Sequence, residues 1–325
     1  MKQADIIERA ESLLAGGQHQ AAVDTLVDAA KRGDGEALYK LALWYVFGHP
    51  VARSFATARA LLERARATGH RAAATTLAVF VAMGAGGPLD WRAARTLLEQ
   101  SGRTDPVAEK QCELLDAMLL DHHGMPPRPA ATEILSRSPR VAVVRKLFTP
   151  KECSHVIALA RDLMRPSFVV DSRTGHEAPH PVRTSDDTVL GPIQQDLVTH
   201  ALNLRIAAAS GTRIRQGEPL AVLRYRPGQE YRLHHDCLPG EDNQRELTLI
   251  SYLNSDYDGG ATHFPAAAID FRGEVGDAVL FANMTDGRID ERSRHAGLPV
   301  SSGEKWVCTR WIRMRDFDPW GAYPA

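Results

Sequence analysis

With 325 residues, the chain has room for two domains with separate cores. A formal net charge of −1 gives no long-range pull toward nucleic acid or an acidic membrane. No apolar run reaches the roughly 18 residues of a membrane helix. The four cysteines, Cys112, Cys153, Cys237 and Cys308, are far apart and form no CxxC pair. That argues against a zinc ribbon or disulfide framework and for a reducing, cytoplasmic setting.

The chain begins with MKQADIIERAESLLAGG, an amphipathic helix pattern that lacks the apolar core and cleavage site of a signal peptide. A repeat follows. KRGDGEALYKLALWYVFG (31–48) lies over ATGHRAAATTLAVFVAMG (67–84), so Gly33 matches Gly69, Leu41 matches Leu77, and Gly48 matches Gly84, each 36 residues on. Ala22, Ala58 and Ala94 fall in the same register, as do Leu26, Leu62 and Leu98. Each unit reads as a helix pair, with small residues where helices cross and glycine near helix ends. Val107 to Leu120 would add one more helix. The pattern resembles Sel1-like repeats, longer relatives of tetratricopeptide repeats. That resemblance implies a solenoid that binds a protein partner. Trp44, Tyr45 and Phe47 are candidates for a groove or for the core between repeats.

Periodicity stops at DHHGMPPRPAATEILSRSPR (121–140), where Gly124, Pro126, Pro127 and Pro129 break helix. The adjacent His122 and His123 read as surface residues. We therefore expect a helical repeat domain at 1–127 and a second domain at 128–325. In the second, PRVAVVRKLF reads as a strand and TPKECSHVIALARDLM as a helix, with Thr149 as N-cap and Pro150 in first position. QQDLVTHALNLRIAAASG reads as another helix. LAVLRY, LTLISYL, GDAVLF and KWVCTRWI are short strands between turn signals. The expected fold class is thus an α + β two-domain chain, an α-helical repeat solenoid followed by a double-stranded β-helix (jelly roll) with packing helices.

The second half centres on RYRPGQEYRLHHD (224–236), which holds the chain's one His-x-Asp, His234 and Asp236. In an extended strand these side chains point to one face. Together they offer two thirds of a 2-His-1-carboxylate iron site. His235 would point the other way.

VRTSD (182–186), RYRPGQEYRLHHD, TLISYLN (248–254), YDGGATHFP (257–265), GDAVLF (276–281), SRHAGLPVSSGEKW (293–306) and TRWI (309–312) occur in order. From about Pro139 to Met314 the chain resembles the prolyl 4-hydroxylase branch of the Fe(II)/2-oxoglutarate dioxygenases. The resemblance implies that His234, Asp236 and His295 ligate Fe(II), with His263 as a rival ligand in the GGATHFP strand. It places Lys305 on the far carboxylate of 2-oxoglutarate and gives Tyr225 a hydrogen bond to the same co-substrate. Thr262 falls beside the site. Strand alternation puts Lys305, Val307, Thr309 and Trp311 on one face, so Trp311 should line the interior as well. Arg183 and Tyr231 are candidate substrate contacts. Where the family often has tyrosine after the aspartate, this chain has Cys237, a thiol exposed to oxidation if it lies near iron. Segments 166–186 and 237–245 correspond to loops that close over a peptide.

The resemblance implies an Fe(II)- and 2-oxoglutarate-dependent oxygenase that uses O2, with ascorbate as an accessory. It would hydroxylate a peptidyl residue, foremost proline at C4, while the repeats recruit the protein substrate or a partner. The same chemistry on a free amino acid or small metabolite is the alternative, and a repeat scaffold with a degenerate oxygenase domain is the second. No basic stripe with interleaved aromatics points to nucleic acid, and nothing points to a membrane.

Overall fold

A computed structural model of the chain describes residues 3–170, 177–179 and 182–318. By internal packing it divides into two units. One is Met1–Met125 with Gln195–Ala201; the other is Pro126–Gln194 with Leu202–Pro319. No helix among the described residues is long and apolar enough to cross a membrane.

Seven helices follow one another in the first unit. They are α1 (Gln3–Ala15), α2 (His19–Lys31), α3 (Gly35–Phe47), α4 (Phe55–Ala67), α5 (Arg71–Met83), α6 (Trp91–Gly102) and α7 (Pro106–Ala117). The repeat register is visible in its end signals. Gly48 and Gly84 close α3 and α5 in the left-handed conformation, at φ 76° and 71°, where a side chain would be strained. Asp34 caps the start of α3, and at the equivalent place in the next repeat the His70 ring accepts from Ala73 N through Nδ1. The other ring nitrogen of His70 lies 2.8 Å from Glu36 of the preceding repeat, and the ring stacks on Tyr39. Ala22, Ala58 and Ala94, with Leu26, Leu62 and Leu98, are fully buried. Neighbouring repeats thus share a core that no single helix pair could form. Trp44 belongs to that core, whereas Phe47 is exposed. His122 and His123 sit in an exposed turn whose Asp121 carboxylate accepts from two backbone amides.

The second unit is built on two antiparallel sheets. The large one has eight strands, in the order Thr132–Arg137, Arg140–Val144, Ala278–Ala282, Arg245–Tyr252, Lys305–Arg313, Leu220–Tyr225, Asp186–Leu190 and Arg165–Pro166. The small one has four, in the order Ile269–Phe271, Thr262–Phe264, His295–Gly297 and Tyr231–His234. Inward residues of the large sheet, among them Val141, Val143, Leu223, Tyr252, Val279, Phe281 and Val307, pack with Phe264 and Phe271 of the small sheet into one core. The expected jelly roll is therefore present. Central strands such as Ala278–Ala282 are buried at every position, which is why they read as continuous apolar runs rather than alternating ones.

Helix α8 (Pro150–Arg161) starts as expected, with Pro150 in the first turn and a reciprocal capping box between Thr149 and Glu152. The Glu152 carboxylate also takes two hydrogen bonds from Arg205 of helix α9 (Leu197–Ser210). Several strands were not anticipated, Asp186–Leu190 and Ile269–Phe271 among them. Thr132–Arg137, in the stretch read as a join, pairs with Arg140–Val144. It is an edge strand, and Ile134 and Leu135 on it are exposed, so no buried face marks it in the sequence.

Candidate metal centre and active-site cavity

Strand pairing assembles the site. Tyr231–His234 and His295–Gly297 are antiparallel neighbours with His234 directly opposite His295. Asp236 does not lie on the strand as expected, because the strand ends at His234. The backbone turns there: Cys237 N donates to the His235 ring, and Arg245 reaches the Asp236 carbonyl at 3.4 Å. The turn still returns the carboxylate to the histidines. His234 Nε2 is 3.5 Å from Asp236 Oδ1, and His295 Nε2 is 3.8 Å from Asp236 Oδ2. One ligand atom from each of the three residues lies within 4.8 Å of the others.

The protonation states suit a cation. His234 Nδ1 faces Arg232 O at 2.8 Å and His295 Nδ1 faces Ser293 O at 3.1 Å. Only a protonated nitrogen can donate to a carbonyl, so each Nδ1 carries a proton, and a neutral ring in this orientation presents its lone pair at Nε2. Burial pushes the His295 imidazole down to about 4, against the pull of Asp236. Burial also opposes ionisation of Asp236, but His295, His234 and Arg245 hold its carboxyl well below the usual carboxylate range. Two imidazole Nε2 atoms and one buried carboxylate thus face one another across a gap small enough for one ion to bridge. This donor set fits Fe(II) and leaves coordination positions open.

Around it the chain forms a cavity lined by Leu223, Tyr225, Ile250, Lys305, Val307, Thr309 and Trp311 of the large sheet. Tyr231, His234, Thr262, His295 and Gly297 of the small sheet, together with Asp236, complete the lining. The alternation expected for Lys305 to Trp311 is therefore present. Lys305 is buried, donates to Gly260 O at 2.7 Å, and lies over the Tyr225 and Tyr252 rings. No acidic side chain among the described residues pairs with it, and burial pushes its ammonium down to about 7. Gly260 has φ 64°, and a Cβ there would come within 3.1 Å of the Lys305 chain, so a glycine is what lets this carbonyl approach. Lys305 is cross-strand partner to Tyr225, whose phenol is pushed above its ordinary range by burial. Thr262 is buried, with its hydroxyl 2.6 Å from Tyr252 OH. The Trp311 indole N–H is buried and meets no acceptor among the described residues.

Tyr231 stacks on the His234 ring at 3.4 Å and 10°. Arg183 lies over the Tyr231 ring at 5.4 Å and forms a 2.7 Å ion pair with Asp187. His235 points away, to Asp290 O and Ser293 Oγ. His263 is held by Asp270 and is not part of the donor cluster. Cys237 does not line the cavity either. Its thiol turns to Arg245 O and Asn283 O, and burial pushes it up to about 11. Residues 171–176, 180 and 181 of the first expected loop lie outside the described residues. The second, 237–245, is tethered by the Gln244 side chain to Leu238 and by Arg313 to Asn243 O.

Several polar groups went unnoticed in the sequence. Thr248 donates to Asp236 Oδ2 at 2.6 Å and in turn accepts from Asn283 Nδ2 at 2.9 Å. Glu218 takes two hydrogen bonds from Arg245, whose guanidinium lies 4.0 Å over the Trp311 ring. The one available signal was Thr248 itself, a polar residue in alternation with Ile250 and Tyr252 on the inward face.

A family profile described as the 2OG-Fe(II) oxygenase superfamily matches residues 220–313. Prolyl 4-hydroxylase 1 of Arabidopsis thaliana is 38% identical over 203 residues, which cover 56% of this chain and 72% of that protein. Two solved structures are similar to parts of the chain. A viral collagen prolyl hydroxylase from Paramecium bursaria Chlorella virus-1, in its 2OG complex, covers 53% of this chain and 95% of its own, at 25% identity and a TM-score of 0.44. A Sel1 repeat protein from Oxalobacter formigenes covers 34% of this chain and 88% of its own, at 22% identity and a TM-score of 0.31. The Arabidopsis relative, not these structural likenesses, carries the assignment.

Proposed function

The chain belongs to the prolyl 4-hydroxylase family of the 2OG-Fe(II) oxygenase superfamily and is a 2-oxoglutarate-dependent dioxygenase; from that premise we propose that it hydroxylates prolyl residues at C4 in a peptide or protein. One observation supports the reading most directly. A single cavity holds three convergent metal donors and, on the opposite sheet, a buried ammonium with no acidic partner among the described residues.

In this reading His234, Asp236 and His295 hold Fe(II). Bound there, the metal supplies the oxidising chemistry, in which O2 and 2-oxoglutarate yield a hydroxylated C–H carbon, succinate and CO2. Lys305 anchors the far carboxylate of 2-oxoglutarate by a charge-assisted contact. Tyr225 and the Trp311 N–H supply hydrogen-bond donors on the same wall, and Thr262 supports that wall through Tyr252. Leu223, Ile250 and Val307 keep water out of the anchored end. Tyr231 meets the substrate, and Arg183, engaged by Asp187, acts on the substrate side by holding the Tyr231 ring. The domains divide at 127/128, and the helical repeats recruit the protein substrate or a partner.

The test is anaerobic. Fe(II) and then 2-oxoglutarate are added to the purified chain, and the visible charge-transfer band of the chelated complex is recorded. Wild type should give the band, His234→Ala should not, and Lys305→Ala should need at least about a hundredfold more 2-oxoglutarate. A folded wild type with no band would remove the iron site. Succinate release stimulated by proline-containing peptides carries the substrate assignment. Stimulation by free amino acids alone would overturn it.

A further inference from the structure

The carboxylate of Asp236 is not held by the histidines alone. Behind it, away from the cavity lining, run Thr248 on the strand Arg245–Tyr252 and Asn283 just beyond the strand Ala278–Ala282. Both are fully buried, and Asp236 nearly so. A threonine hydroxyl has one proton and two lone pairs. Asn283 Nδ2 donates into Thr248 Oγ1 at 2.9 Å, so the Thr248 proton goes to its other neighbour, Asp236 Oδ2, at 2.6 Å. The backbone holds Asn283 on both sides: its N–H donates to Glu246 O, and its carbonyl accepts from Asp290 N. Its Oδ1 is buried and meets no donor among the described residues. Turning the amide over would place Oδ1 on Thr248, draw the hydroxyl proton away, and leave the Asp236 oxygen without its donor.

We propose that Thr248, set by Asn283, is a positioning residue that holds Asp236 to metal binding through a single oxygen, Oδ1. This rests on the reading of His234, Asp236 and His295 as iron ligands. The short hydrogen bond occupies one lone pair of Oδ2, which faces His295 Nε2 at 3.8 Å, and leaves Oδ1, 3.5 Å from His234 Nε2, as the stronger donor. The distinction matters for this reaction. Three single-atom donors leave half of an octahedral ion open, enough for both donor atoms of 2-oxoglutarate and for O2. A carboxylate bound through both oxygens would take one of those positions. Partners of metal ligands of this kind set affinity and geometry without touching the metal.

Thr248→Val removes the hydroxyl at nearly constant shape, and Thr248→Ser keeps it. Each is titrated anaerobically with Fe(II) and then 2-oxoglutarate, after a thermal melt shows that it is folded. We expect the valine variant to keep Fe(II) affinity within about threefold, to need at least about tenfold more 2-oxoglutarate, and to give a displaced charge-transfer band. The serine variant should restore the wild-type band and affinity. A folded valine variant with wild-type affinity and spectrum would reduce the hydroxyl to satisfying a buried oxygen. Loss of both ligands in valine and serine alike would reduce the site to packing. Should the valine variant not fold, Asn283→Ala frees the hydroxyl proton from its direction and is expected to weaken 2-oxoglutarate about threefold at unchanged Fe(II) affinity. No change in that variant would overturn the relay. A wild type that gives no band fails earlier, at the ligand assignment itself.

Discussion

Lys305 illustrates how one residue's environment turns into a measurable. Its ammonium is buried among aromatic rings and one carbonyl, with no carboxylate to stabilise it, and burial brings it down to about 7. As anchor, it must be charged when 2-oxoglutarate arrives. The dissociation constant should therefore be flat below about pH 7 and rise by up to about tenfold per pH unit above it, until the pKa of the bound form is reached. Lys305→Arg keeps its charge throughout and should flatten the profile. Calorimetry on Mn(II)-loaded protein from about pH 6 to 9 measures both. A flat wild-type profile would remove Lys305 from the anchor role. For stability the sign is the reverse of a salt-bridged lysine. Between about 7 and the ordinary 10.5 the unfolded chain binds a proton that the folded one does not, so the cost of burying Lys305 fades as pH rises.

At the scale of elements, the sheets depend on close backbone approaches that only glycine permits. Gly276 sits at φ +85°, and a Cβ there would lie 1.9 Å from Phe148 O, whose own amide donates to the Gly276 carbonyl at 3.1 Å. This contact ties the chain entering Ala278–Ala282 to the segment just before helix α8. Gly276→Ala combines left-handed strain with a backbone clash and should cost at least about 2 kcal/mol, read by urea denaturation. Alternation was the legible part of these elements. It predicted that Trp311 shares the face of Lys305, and the cavity wall has both. It failed two residues beyond the strand end, where Asp236 reaches the same point by a turn. The turn depends on His235 and Arg245, and neither of those contacts has a periodic signature. The partners of Thr248 and Asn283 were illegible for a related reason. Thr248 meets Asp236, and Asn283 meets Thr248, only because separate strands pair in a particular register, and spacing along the chain says nothing about which strands become neighbours.

At the scale of the whole molecule, two periodicities divide the chain. A helix-pair repeat builds the first unit, and period-2 strands build the second. The proposed labour is divided in the same way, recognition on the repeats and chemistry in the cavity. Phe47, exposed at the end of α3 while its neighbour Trp44 is core, offers a test. Phe47→Ala should leave turnover of a short proline peptide within about twofold of wild type and raise KM for an intact protein substrate by several-fold. Equal effects on both would remove the repeats from recruitment. The amino-acid sequence by itself determined the repeat register, the cap of helix α8, the central strands of the large sheet, and which residues carry donor chemistry, because capping, periodicity and side-chain type are local properties. The tertiary structure alone decided which donors converge, which nitrogen of each histidine faces the cavity, that Lys305 is buried beside no acidic group among the described residues, and that Asp236 is held from behind. Those are consequences of burial and cross-strand neighbours, which exist only once the two sheets have closed on each other.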